Sequence, residues 1–271
     1  MLKRTITGVV LIAVLVAVLL FLPKVFTGLL LSFMVATAAE ELLRTTGLVT
    51  DTLLVSFACV TAIFVVWLCY SGLPYPYWLA LLLAFTAICF ARVLRSSGQL
   101  PFQQVAMTMV AGLLIPFLLS ALVRIVLMEN GRYLIVAPFV MAFMTDTGAY
   151  LIGCAFGKHK LCPIISPKKT VEGLFGGILG GIVGMIVYGL VLQHAFGFTV
   201  NYLHAVIYGA LGAGGATFGD LMFSVIKRQT GIKDYGKLLP GHGGILDRFD
   251  SVTVVAPLAE VLLLILHLAV K

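Results

Sequence analysis

VEGLFGGILGGIVGMIVYGLVLQHAF, residues 171–196, decides the fold class. Apart from Glu172 at its start the run holds no Asp, Glu, Lys or Arg. It exceeds the roughly 20 apolar residues that a helix needs to cross a hydrocarbon core. Gly173, Gly177 and Gly181 recur every four residues within it, and so do Gly176, Gly180 and Gly184. Small residues at that spacing let helix backbones approach closely, so the run reads as a membrane helix with a packing face and no direct chemistry. Gly212, Gly214, Gly215 and Gly219 further on do not make a nucleotide-binding glycine loop, because no strand precedes them.

The rest of the chain agrees. Its 271 residues are 61% hydrophobic and 11% charged, with a mean hydropathy of +1.11, whereas soluble chains carry about 25% charged residues. The expected fold is an all-α polytopic integral membrane protein. Nine candidate spans lie near Thr5–Leu22, Val25–Ala39, Thr52–Tyr70, Tyr77–Val93, Phe102–Met128, Tyr133–Phe156, Val171–Phe196, Tyr202–Val225 and Ser251–Val270. The second is short enough to be tilted or partial. Met1–Leu22 has the basic start of a signal peptide, yet Phe21, Leu22, Pro23 and Lys24 give no small-residue cleavage site, so it reads as a retained helix. The five cysteines show no CxxC spacing and no neighbouring histidine set, which argues against a disulfide framework and a zinc site. The net charge of +7 comes without a basic helix or an aromatic ladder. Nucleic acid therefore finds no support, and anionic lipid headgroups or phosphates are the expected partners.

If nine spans alternate, one side collects Lys3, Arg4, Arg44, Arg92, Arg95, Lys158, Lys160, Lys168, Lys169, Lys227, Arg228, Lys233, Lys237 and Arg248, which is 14 of the 18 basic residues. The positive-inside rule makes that side cytoplasmic. The two halves also differ in chemistry. Before Met128 ionisable residues sit almost wholly in loops, so residues 1–128 read as scaffold helices and 129–271 as the catalytic region.

Asp146, in FMTDTGAYLIG, falls inside an apolar run, where a charge costs about 2.5–3.5 kcal/mol on insertion scales. It must face a polar interior, either as a structural partner of a neighbouring helix or as a ligand. Asp220, Ser224, Lys227 and Arg228 lie at i, i+4, i+7 and i+8 and share one helix face. Asp247 and Asp250 share another if Ile245 begins the last helix. Gly241, Gly243 and Gly244 around His242 allow backbone N–H groups to approach a phosphate, and His242 has the alternative reading of an ordinary loop histidine. Four aspartates without a His or Cys pair suit Mg²⁺ held together with substrate phosphates. Lys168, Lys169, Lys227, Arg228, Lys233 and Arg248 would neutralise phosphate charge, with Lys168 and Lys169 equally readable as topology signals.

Three segments together resemble a known family: Ser224-Val-Ile-Lys227-Arg228, Lys233-Asp234, and Leu239-Pro-Gly-His-Gly-Gly-Ile-Leu-Asp247-Arg248-Phe-Asp250. This signature is similar to that of the phosphatidate cytidylyltransferases, also called CDP-diacylglycerol synthases. Asp146-Thr-Gly-Ala-Tyr150 and Ser166-Pro-Lys168-Lys169-Thr170-Val-Glu172-Gly173 resemble the family in order and spacing. The likeness covers roughly the C-terminal half. It implies transfer of the cytidylyl group of CTP to phosphatidic acid with Mg²⁺, at the cytoplasmic face of the inner membrane, among membrane lipids and in a possible homodimer. It implies catalytic roles for Asp220, Lys227, Arg228, Asp247, Arg248 and Asp250, and metal binding by Asp146, Asp220, Asp247 and Asp250. It implies substrate contacts for Ser166, Lys168, Lys169, Thr170, Glu172, Ser224, Lys233, Asp234, His242, Gly243 and Gly244. Two rival classes remain: a membrane enzyme using CTP on another lipid, such as a polyprenol kinase or an archaeal-type lipid cytidylyltransferase, and an ion or solute transporter.

Overall fold

The computed structural model describes residues 15–239, 241 and 243–271. Most of the expected span Thr5–Leu22 lies outside these residues, and its described end carries a π turn, Ala17–Phe21. Seven helices among the described residues are long and apolar enough to cross a membrane: α1 Lys24–Thr45, α2 Thr52–Ser71, α3 Tyr75–Arg95, α4 Phe102–Leu127, α5 Gly131–Phe156, α6 Val171–Phe196 and α7 Tyr202–Gln229. These correspond to seven of the nine expected spans, and the total of nine is not confirmed. A further helix, α8, runs from Leu246 to Ile265 rather than from Ser251 to Val270, and it carries the charged residues Asp247, Arg248, Asp250 and Glu260. The run expected to be short, Val25–Ala39, belongs to a full-length helix whose last turn, Glu41–Thr45, is π.

The chain packs as two compact units, Met1–Arg124 with Gln229–Arg248, and Ile125–Arg228 with Phe249–Lys271. Gln229–Arg248 groups with the N-terminal helices in this division. In this first unit α1 and α4 pack against α2. A Cβ on Gly112 of α4 would stand 3.1 Å from the Ala58 Cα of α2. The helix is irregular at that point, with a π turn over Val110–Leu114 followed by Pro116, which are ordinary causes of a kink. Asp51 caps α2 by accepting from Leu53 N (3.0 Å) and Leu54 N (3.1 Å). It also binds Arg92 on α3, with Nη2 at 2.7 Å from Oδ2. Burial pushes the Asp51 carboxyl up, but the hydrogen bond and charge of Arg92, with the two N–H donors, outweigh it and hold it below its usual range.

In the second unit the glycine stripe on α6 meets α5. A Cβ on Gly180 would stand 2.5 Å from Met144 O and 3.0 Å from Gly148 Cα, and one on Gly184 would stand 2.5 Å from Met144 Cγ. Neither helix has room for a side chain there, so the spacing read in the sequence is a backbone-to-backbone contact. Gly181 meets Gly209 of α7 in the same way, at 2.7 Å from its carbonyl oxygen. Between α5 and α6 the chain forms an antiparallel hairpin, β1 Lys160–Cys162 and β2 Ser166–Thr170, that periodicity did not reveal. Two further short strands, β3 Thr199–Val200 and β4 Ala269–Val270, tie the start of α7 to the end of the chain.

Candidate active site

The hairpin enters α6 through Thr170, whose Oγ1 accepts from Gly173 N at 3.1 Å. An N-cap of this kind is worth about 1 kcal/mol. Glu172 folds back to accept from Lys158 N at 3.1 Å and His159 N at 3.2 Å, and its Oε1 lies 2.6 Å from His159 Nδ1. Expected as a substrate contact, Glu172 is thus placed where it fastens the base of the hairpin.

A cavity of about 460 Å³ opens beside the hairpin. Asp146 of α5, Lys160, Lys168 and Lys169 of the hairpin, Thr170 and Thr217 of α7 line it. Asp146, expected to face a polar interior, lines this cavity with its side chain exposed. Lys160, read in the sequence only as a topology lysine, belongs to it as well. Lys169 Nζ forms an ion pair with Asp220 Oδ2 of α7, and both side chains are half-buried, at 26% and 27% exposure. Charges held this far out of water interact more strongly than a surface pair.

The expected face of α7 is formed. One turn beyond Asp220, Ser224 is buried, and Arg228 Nε donates to Ile165 O of the hairpin at 3.0 Å. Where α7 passes α8, a Cβ on Gly219 would stand 2.8 Å from Asp250 O. This close approach brings the buried Asp250 within electrostatic range of Asp220, Asp146 and Lys227. Of the expected site residues, Asp146, Ser166, Lys168, Lys169, Thr170, Glu172, Asp220, Ser224, Lys227, Arg228 and Asp250 all belong to this second unit.

The others lie in the first unit. Lys233, Asp234 and Arg248 are exposed, and His242 falls outside the described residues. Asp247 is buried, and its Oδ2 accepts from Tyr235 N at 2.7 Å and Gly244 N at 3.0 Å. One oxygen of this carboxylate thus braces the glycine loop. Gly243 has φ +85°, and a Cβ there would stand 2.8 Å from Asp247 Oδ2. The space beside this glycine is filled by the chain's own carboxylate.

As a donor set, Asp146, Asp220 and Asp250 offer only oxygen, which fits a hard cation. Among the described residues no three His, Cys, Asp or Glu side chains converge on one metal position.

Residues 2–266 match the model of the cytidylyltransferase family. The chain is 45% identical over 136 residues to the phosphatidate cytidylyltransferase of Staphylococcus epidermidis, an alignment covering 50% of each chain. The protein of the same name from Staphylococcus haemolyticus is 43% identical over 136 residues, or 50% of this chain and 51% of the relative. That from Staphylococcus aureus is 42% identical over 143 residues, with the same coverage. The chain thus spans about half the length of the curated relatives it matches.

Proposed function

The chain belongs to the cytidylyltransferase family, and from that premise we propose that it transfers the cytidylyl group of CTP to phosphatidic acid, forming CDP-diacylglycerol and pyrophosphate. The observation that carries this reading is the cavity lined by Asp146, Lys160, Lys168 and Lys169, with Asp220 paired to Lys169. Such a site suits a polyphosphate better than a neutral solute.

The phosphate of phosphatidic acid is already an oxyanion near neutral pH, so attack on the α-phosphorus needs no strong general base. A new P–O bond forms to the lipid phosphate while the α–β bridging P–O bond breaks and pyrophosphate leaves. What remains for the protein is positioning and charge neutralisation. Lys160, Lys168 and Lys169 would meet nucleotide or lipid phosphate from the hairpin, and Lys227 and Arg228 from the end of α7. Lys169 would exchange Asp220 for a phosphate oxygen as substrate enters. Asp220 and Asp250, oriented by the α7–α8 contact, would hold Mg²⁺ with Asp146 beside them; for Asp247 and Arg248 the family signature, taken by itself, implies metal and phosphate roles. When bound, Mg²⁺ would stabilise the attacking and leaving oxygens.

The lipid would enter laterally and leave its acyl chains in the bilayer, because each buried CH₂ drawn into water costs about 0.8 kcal/mol. If the spans alternate as expected, the basic-residue asymmetry supports a site on the cytoplasmic side of the membrane. The test is product formation by the purified full-length chain given CTP, phosphatidic acid and Mg²⁺. Turnover that requires all three is expected. Product from a polyprenol in place of phosphatidic acid, or solute flux in liposomes without CTP consumption, would overturn the proposal.

A further inference from the structure

Glu41 lies in the last turn of α1, within the half of the sequence read as scaffold. Its side chain is nonetheless buried, and it reaches a segment 200 residues away. Oε1 accepts from Ile245 N at 3.1 Å and Oε2 from Leu246 N at 2.9 Å. These N–H groups stand at the start of α8, where a helix leaves its first donors without intrahelical partners and where its dipole favours negative charge. A buried carboxylate is tolerated when its oxygens are hydrogen-bonded. Here both oxygens are.

The same carboxylate explains two glycines. A Cβ on Gly244 would stand 2.5 Å from Glu41 Cδ, and one on Gly236 would stand 2.7 Å from it. Gly244 therefore gives its N–H to Asp247 and its vacant side to Glu41. The loop from Tyr235 to Leu246 is held at one end by Asp247 and at the other by Glu41, and both carboxylates belong to the same compact unit. From this geometry we infer that Glu41 is a positioning residue for nucleotidyl transfer, fixing the glycine loop and the first turn of α8 so that Asp247 and Arg248 keep a constant aim. Glu41 works through backbone N–H groups and needs no contact with substrate. The kinetic part of the inference rests on the proposed reaction, while the clasp itself rests on geometry alone.

Two measurements on the full-length protein in detergent test it. In the first, Glu41→Gln keeps the shape but replaces one acceptor oxygen with a donor. With the assay run well below the variant's melting temperature, kcat should fall roughly 10- to 100-fold, the scale of a small misplacement at a reacting centre, with the KM for CTP changed far less. A role in stability alone would lower the melting temperature and leave kcat intact, and that result overturns the positioning role. In the second, Gly244→Ala should lower the melting temperature sharply in the native background and little beside Glu41→Ala, which empties the space that the new methyl group needs. Should Glu41→Ala not accumulate as folded protein, Glu41→Asp withdraws the carboxylate by one methylene and serves the same cycle. Equal shifts in both backgrounds would refute the clasp. If the native protein forms no product at all, the reaction and the positioning role both fall, and the melting-temperature cycle alone decides whether Glu41 holds the loop.

Discussion

The two glycine-rich regions of this chain use the same residue for opposite partners. Along α6, Gly180 lacks a side chain so that the backbone of α5 can lie against it, with Met144 O and Gly148 Cα on the other side of the contact. In the loop before α8, Gly243 and Gly244 lack side chains so that the carboxylates of Asp247 and Glu41 can fill the space. The first arrangement joins two helices into a rigid frame for the hairpin and the cavity. The second places negative charge against backbone N–H groups and the start of a helix. A glycine cluster is therefore not one kind of signal, and what distinguishes the cases is the atom that takes the place of Cβ.

Substitution can break that distinction, and the largest effect is expected on α6. Gly180→Leu would force α5 and α6 apart along their whole contact, well beyond the roughly 1–3 kcal/mol typical of overpacking. Monodisperse protein should be lost in size-exclusion chromatography, and a normal elution profile with an unchanged melting temperature would show that the helices are not in backbone contact.

A middle effect is expected at Gly243, which combines φ +85° with a nearby carboxylate. Gly243→Ala should destabilise by about 1–3 kcal/mol through backbone strain and should lower product formation more than Gly180→Ala does at matched stability. Equal activity losses in the two variants would erase the contrast between frame and loop.

Gly214 sharpens the comparison from below. Beyond its own stretch of helix no atom lies within 4 Å of where its Cβ would be, and it sits inside α7, so Gly214→Ala should be neutral or stabilise by up to about 1 kcal/mol through helix propensity. Thermal unfolding in detergent measures this directly. A clear loss there would mean that α7 is covered by something other than lipid or solvent.

These cases also show what the sequence could and could not reveal. The α6 stripe was legible because its period of four is local, and α2, α3, α5 and α6 begin and end within two residues of the expected runs. The α7 face was legible for the same reason, since Asp220, Ser224, Lys227 and Arg228 lie on one continuous helix. The hairpin from Lys160 to Thr170 was not, because its strands are too short and too basic to show alternation. Lys160 and His159 were missed with it. Glu41 was hidden for another reason: its partners, Ile245 and Leu246, lie 200 residues away in the chain, and no local pattern encodes a contact of that separation. The only local signal was an acidic pair, Glu40 and Glu41, at the end of an apolar run.

Asp220 tests the central claim most directly, because it stands between the hairpin lysine that pairs with it and the carboxylates proposed to hold the metal. The measurement is Mg²⁺-dependent formation of CDP-diacylglycerol from CTP and phosphatidic acid by the native protein and by Asp220→Asn, each shown to be folded in detergent. The account predicts turnover by the native protein and a loss of at least about 100-fold in the variant, the scale of removing one electrostatic stabiliser of the reaction. Near-normal turnover by Asp220→Asn would contradict it.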